Sequence, residues 1–408
     1  MHKGLLSSKL GLVLVVMLLG VLAVSSCTPP PAAPAPAVAQ PTAASQPAAP
    51  AAGGTLKIGL QAPMTGDNAQ YGEVMRKGVA LAIDEINAAG GVNGLKLELV
   101  VGDDKATPAE AVSVVQRMVT LDKVAAVIGG FNSSPTLAAM DATQKAKTIH
   151  FTMGASPKLT QAGDPYMFRA ILTDAPMTAD LVGYAVKDLG LKKIAVMKEN
   201  TDYGVSLADL FKAQVEAQGG EVLTVESYNP GDKDFTAPLS KIKSLQPQAL
   251  MVAGLYNEAG LIAQQAKRLG LQVQLLGSDG VSSPALVEVG GDAVEGFIFV
   301  SAFDPNYKDD KVQAFVKNYQ AKYNEMPEAY SAISYDAAQV VADAIKRAGI
   351  KSADLTDADR ESLQKAMAAS DYPGVTGPFK FDAKGDVTKG LFIQAVKNKE
   401  LTTVRPPK

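Results

Sequence analysis

Few side chains in these 408 residues are equipped to make or break bonds. There are two histidines, His2 and His150, and a single cysteine, Cys27. His150 sits in TIHFTMG, a strand-like apolar stretch where a packed imidazole is expected rather than a proton shuttle. A Ser-His-Asp hydrolase and a metal centre built on His and Cys therefore have little to stand on. No G-x-x-x-x-G-K-[ST] loop occurs, and no G-x-G-x-x-G follows the first strand pattern, so a nucleotide enzyme lacks its phosphate cradle. No catalysis, cofactor or metal is expected. What remains is recognition chemistry: Ser133 and Ser134 ahead of a helical pattern in FNSSP, Asp279 in GSDG, and Tyr71 where a long helix begins. Each has an ordinary local role as well, since serine caps helices and aspartate opens Gly-rich turns.

The elements that must position these groups are legible from periodicity. From Thr55 onward short apolar runs alternate with helical patterns: TLKIGLQA, a helix, LKLELVVGDD, a second helix, VAAVIGGF. Such alternation predicts α/β architecture, a mainly parallel sheet flanked by helices. In the first helix Met75, Val79, Ala82 and Ile86 form one apolar stripe, and Gly90-Gly91 ends it. Thr107-Pro108-Ala109-Glu110 predicts a capping box at the start of the second. The alternation begins again after about residue 175, which makes two modules of similar size, as the length already suggests. Three more helices follow, roughly 309–324, 334–348 and 359–368, and GPFKFDAKGDVTKGLFIQAV reads as a hairpin turning at Asp382-Ala383-Lys384-Gly385. In open α/β sheets ligands bind beyond the carboxyl ends of the strands. Tyr71 is placed at that mouth, where an aromatic ring contacts a ligand without being consumed by the core.

Ahead of the globular part, residues 1–26 carry two lysines, an uncharged apolar run from Leu10 to Val24 and then small residues, the pattern of a secretory signal peptide. The run is shorter than a bilayer span requires. Val24-Ser25-Ser26-Cys27 resembles a bacterial lipobox, whose cysteine is acylated. One cysteine in an exported chain has no internal disulfide partner, and acylation explains it. Residues 27–53, rich in Pro and Ala and uncharged, read as a tether reaching on the order of 75 Å in polyproline geometry. The formal charge is -3, and no basic field for nucleic acid is evident.

The segments MTGDNAQYGEVMRKGVALAIDEINAAGGVNGLKLELVVGDD, VIGGFNSSPTLA, GASPKLT, ENTDYGVSLADLF, GLYNEAGLIAQQAKRLGL and LLGSDGVSSPAL follow one another at matching spacing over residues 54–395. Together they resemble the leucine/isoleucine/valine-binding proteins, the type I solute-binding proteins of ABC importers. The resemblance implies two lobes, 54–172 with 302–377 and 173–301 with 378–404, joined by three crossovers and closing on an amino acid. It gives Tyr71 to the ligand's side chain. Ser133, with Ser134 as the alternative, falls to the ligand carboxylate together with the loop Gly154-Ala155-Ser156, which is one residue shorter than in relatives and has Ser156 where threonine is usual. Tyr203 and either Tyr256 or Leu255 come from the opposite wall. Asp279 stands at the family's ammonium carboxylate, where glutamate is frequent. Ala106 and Asn132 stand where some members carry a cysteine pair.

A zwitterion leaving water needs donors at one end and a carboxylate at the other, because an unpaired buried charge is heavily penalised. The reading is thus a lipid-anchored, extracytoplasmic monomer that passes an amino acid, branched-chain first, to membrane permease subunits. An amide, urea or aromatic acid on the same fold, or a sensor for a membrane signalling partner, is the alternative.

Overall fold

The computed structural model describes residues 53–407. The leader, Cys27 and the tether as far as residue 52 lie outside the described residues. Among the described residues no helix is long and apolar enough to cross a membrane.

The chain forms two α/β lobes. The first holds β1 (Gly53–Ala62), β2 (Leu95–Asp103), β3 (Ala126–Gly129), β4 (Ile149–Thr152) and β5 (Met167–Arg169). They pair in the order β2-β1-β3-β4-β5, all parallel. Strands β3 and β4 are buried at every residue, as a parallel sheet covered on both faces requires. The helices between these strands are α1 (Ala69–Ala88), α2 (Pro108–Thr120), α3 (Ser133–Lys145) and the single turn α4 (Lys158–Gln161).

The second lobe opens with α5 (Asp174–Val182) and builds its sheet from β6 (Lys193–Glu199), β7 (Glu221–Tyr228), β8 (Ala249–Ala253), β9 (Gln274–Gly277) and β10 (Ile298–Ser301). Its helices are α6 (Asp202–Ala217), α7 (Thr236–Ser244), α8 (Tyr256–Arg268) and α9 (Ala285–Gly290). Then α10 (Asp310–Tyr323), α11 (Ala329–Arg347) and α12 (Asp357–Ala368) return to the first lobe. There α11 lies along α1 so closely that a Cβ on Gly78 would stand 2.1 Å from the Ser331 carbonyl oxygen; only glycine permits this approach.

Three expectations need correction. The first turn of α2 is half a capping box: Thr107 Oγ1 accepts the Glu110 amide at 3.4 Å, but the Glu110 carboxylate turns to Lys105 at 3.0 Å instead of back to the cap. Helix α11 begins at Ala329, five residues before the expected start, following Pro327 and the N-cap Glu328. The C-terminal hairpin is not one. β11 (Asp371–Gly374) and β12 (Gly377–Lys380) pair with each other, whereas β13 (Phe392–Lys397) joins β10 and β14 (Glu400–Arg405) antiparallel at the edge of the second sheet. The turn at Asp382–Gly385 exists, with Gly385 N bonded to Asp382 O at 3.1 Å. It is held by the first lobe, through Arg169 N to Gly385 O at 2.9 Å and Arg169 Nε to Asp386 Oδ1 at 2.7 Å, so the chain beyond it is free to cross.

Candidate functional site

A cavity of about 270 Å³ lies between the lobes at the carboxyl ends of both sheets. Six of the ten residues expected at the site line it: Ser133, Ser134, Ala155, Tyr203, Leu255 and Asp279. Tyr71, Gly154, Ser156 and Tyr256 are in the layer behind.

One pole is built on the N-terminus of α3. Ser133 opens the helix, is 1% exposed, and its Oγ accepts the Ser156 amide at 3.3 Å, which leaves its hydroxyl proton free to donate. The Gly154 amide is spent on Thr152 Oγ1 at 3.0 Å. Ala155, between them, keeps an amide with no acceptor among the described residues and lines the cavity. A free hydroxyl, a free amide and the positive end of a 13-residue helix together offer hydrogen-bond donors of the kind an anion takes.

The other pole is Asp279, in the 3₁₀ turn Asp279–Val281 beyond β9. Tyr203 of α6 donates its hydroxyl to Oδ1 at 2.9 Å, and Tyr330 of α11 donates to Oδ2 at 2.6 Å. The two phenols hold the acid in one orientation while burial, and then its charge, raises their own pKa well above the ordinary value. Asp174, at the start of α5, is wholly buried nearby; desolvation, and then Asp279, pushes its carboxyl up to about 8. Among the described residues no lysine, arginine or histidine lines the cavity. His150 is buried in β4, where desolvation pushes it down to about 4, a neutral core histidine.

Tyr71 differs from expectation. It is 1% exposed, its ring stacks on Phe131 at 4.1 Å and 24°, and its hydroxyl donates to the carbonyl of Gly280 in the opposite lobe. Phe131 takes the cavity wall in its place. The reason is geometric: Tyr71 is the third residue of α1, and its side chain passes behind the β3–α3 turn that carries Phe131. Of the two alternatives at the start of α8, Leu255 lines the cavity, whereas the Tyr256 amide meets the Tyr71 hydroxyl at 3.4 Å; the next residue, Asn257, reaches Asp67 O through Nδ2 at 2.5 Å. Ser134 is engaged elsewhere too. It exchanges hydrogen bonds with Asp202, Oγ to Oδ2 and amide to Oγ, both at 2.9 Å, and Lys158 adds an ion pair to Asp202 at 2.6 Å. Ala106 and Asn132 both line the cavity.

Phe131, Tyr330 and Glu199 also line it and were not anticipated. For Tyr330 a signal was present: Pro327-Glu328 starts the helix that brings it in, and a later helix boundary read it as loop.

Residues 55–400 match the periplasmic binding protein family. The leucine-, isoleucine-, valine-, threonine- and alanine-binding protein of Pseudomonas aeruginosa is 36% identical over 339 residues, 82% of this chain and 87% of that one. Among solved structures, LivJ of Streptococcus pneumoniae, a branched-chain amino acid transporter substrate-binding protein in complex with isoleucine, is 34% identical with a TM-score of 0.79, covering 86% of this chain and 100% of its own. The leucine-binding protein LivK of Thermotoga maritima is 32% identical with a TM-score of 0.79, covering 85% and 97%.

Proposed function

Because this chain belongs to the periplasmic binding protein family, we propose that it is an extracytoplasmic receptor that takes an α-amino acid between closing lobes and delivers it to an ABC importer. One observation carries the reading: Ser133 and Asp279, on different lobes, line the same small cavity, and among the described residues no basic side chain does. The ligand carboxylate goes to the Ser133 hydroxyl, the Ala155 amide and the α3 terminus; its ammonium goes to Asp279. Phe131, Met153 and Leu255 supply apolar wall. The names of the relatives put branched-chain amino acids first among candidates. A plain anion such as an aromatic acid would meet carboxylates and no cation, and an amide or urea would leave Asp279 without a counter-charge.

Hydrogen bonds between the lobes support a closure mechanism: Tyr330 to Asp279, Ser134 to Asp202 and Asn257 to Asp67 form only when the jaws meet. A ligand that touches both jaws therefore shifts the hinge equilibrium. The hinge passes lie near residues 172 and 302 and, in place of the expected 377, between Lys389, whose Nζ bonds to Ala170 O at 3.0 Å in the first lobe, and Phe392, where β13 joins the second sheet. Acylated Cys27 and the tether hold the receptor, as a monomer, beside its permease subunits.

Calorimetry with leucine, valine, glutamate and acetamide, on the protein and on Asp279→Asn, tests the reading. An amino acid ligand loses about 3–5 kcal/mol, on the order of a thousandfold, in the variant. Binding of acetamide alone, undisturbed by the substitution, would refute it.

A further inference from the structure

The binding of an amino acid head group leaves one carboxylate of the cavity without a task. Glu199, the last residue of β6, lines the cavity and is 4% exposed. Its Oε2 accepts the Thr201 hydroxyl at 3.1 Å, and among the described residues no donor meets its Oε1. It is electrostatically separate from the head-group pole: burial and then Glu258 act on Glu199, whereas the acid that Asp279 acts on is Asp174. The neighbouring Asn200 side-chain amide donates to Asn229 Oδ1 at 3.0 Å and makes no bond to Glu199.

A purely aliphatic side chain closing over Glu199 would leave its Oε1 dry and unpartnered, and a buried acceptor without a donor is costly. We propose that Glu199 sets side-chain specificity: the preferred ligand is an α-amino acid whose side chain presents a neutral hydrogen-bond donor, a hydroxyl or an amide N–H, to this carboxyl group. The neutral donor is favoured over an ammonium because burial and Glu258 push Glu199 up to about 7, so a large share of it carries no charge at neutral pH. The inference rests on the amino-acid reading above and departs from an aliphatic preference only in the side chain. A site built to hydrogen-bond a hydroxyl discriminates strongly against the isostere that lacks it, whereas an apolar pocket barely distinguishes the two.

Two near-isosteric pairs test this by calorimetry on the full chain: threonine against valine, and asparagine against leucine. The donor-bearing member of at least one pair is expected to bind about tenfold tighter or more. Glu199→Leu should bring that ratio to one or below, and Glu199→Gln, which keeps a carbonyl acceptor in place, should preserve most of it. A ratio at or below one in the unsubstituted protein, with both members bound, overturns the inference and leaves the amino-acid reading standing. A donor preference that Glu199→Leu does not change overturns the assignment to Glu199. Absence of binding by all four removes both.

Discussion

Tyr330, in the first turn of α11, donates a 2.6 Å hydrogen bond to Oδ2 of Asp279, a residue of the other lobe. The partner bond from Tyr203 to Oδ1 stays within one lobe. The two phenols therefore differ in role: the Tyr203 bond persists when the jaws part, and the Tyr330 bond does not. Tyr330→Phe should weaken ligand binding by roughly tenfold to a hundredfold, a charge-assisted bond being worth about 1.5–3 kcal/mol, and should reduce compaction on ligand addition. Small-angle scattering with and without ligand checks this, and equal compaction in Tyr203→Phe and Tyr330→Phe contradicts it.

The contacts of Asp202 with Ser134 and Lys158 act as a clasp across the jaws. Asp202→Ala removes both carboxylate contacts, keeps the backbone amide bond to Ser134 Oγ, and leaves α6 capped, because the Gly204 amide still bonds to Thr201 Oγ1 at 3.1 Å. Partly exposed pairs of this kind contribute on the order of 1 kcal/mol, so affinity should fall several-fold, mainly through faster dissociation. Stopped-flow rates at low and high salt read the effect, and the gap between protein and variant should narrow with salt.

Removing the Tyr71 hydroxyl leaves the Gly280 carbonyl and the Tyr256 amide short of a partner in a dry layer. Tyr71→Phe should lower affinity about tenfold or more, since an unmet buried group costs about 1–3 kcal/mol. Tyr71→Ala also loses the stack on Phe131 and should cost stability of about 3–5 kcal/mol, measured by urea unfolding. A phenylalanine variant with unchanged affinity would mean that the jaws do not close on this bond.

Stability should depend on pH with two opposed contributions. Asp174 is raised in the fold to about 8 from an ordinary value of 3.8. Its contribution is complete below about pH 4 and is lost as pH climbs toward 8, so Asp174→Asn should gain on the parent protein over that interval. His150 is lowered to about 4 from 6.5. Its contribution is complete above pH 6.5 and is lost, to the extent of about 3 kcal/mol, as pH falls toward 4; His150→Leu should flatten that acid limb. Urea midpoints from pH 4.5 to 8.5 separate the two.

Several of these groups could be picked out from the chain alone, and the reason differs for each. Asp279 and Ser133 stand where a strand gives way to a helix or turn, and a strand's carboxyl end is marked locally by the apolar run that stops there. Leu255 and Tyr256 could not be told apart because a helix start tolerates either residue; the contact that separates them is with Tyr71, 185 residues away. Tyr330 was passed over because its helix was begun too late, and nothing near it names its partner, 51 residues upstream. β12 looked like the first arm of a hairpin because the turn after it is real, yet its mate is β11.

What the sequence by itself determined is the alternation of strand and helix, the repeat of that pattern in two modules, and the chemical types available: hydroxyls, phenols and acids, with almost no imidazole or thiol. Those follow from side-chain periodicity and composition, which are local properties. Only the tertiary structure decided that Tyr71 lies behind Phe131, that Ser134 faces Asp202, and that Glu199 shares a cavity with Asp279. Which side chains meet across two lobes depends on strand order, helix packing and the angle of closure, and these are set by the sum of many distant contacts that no short stretch of chain contains.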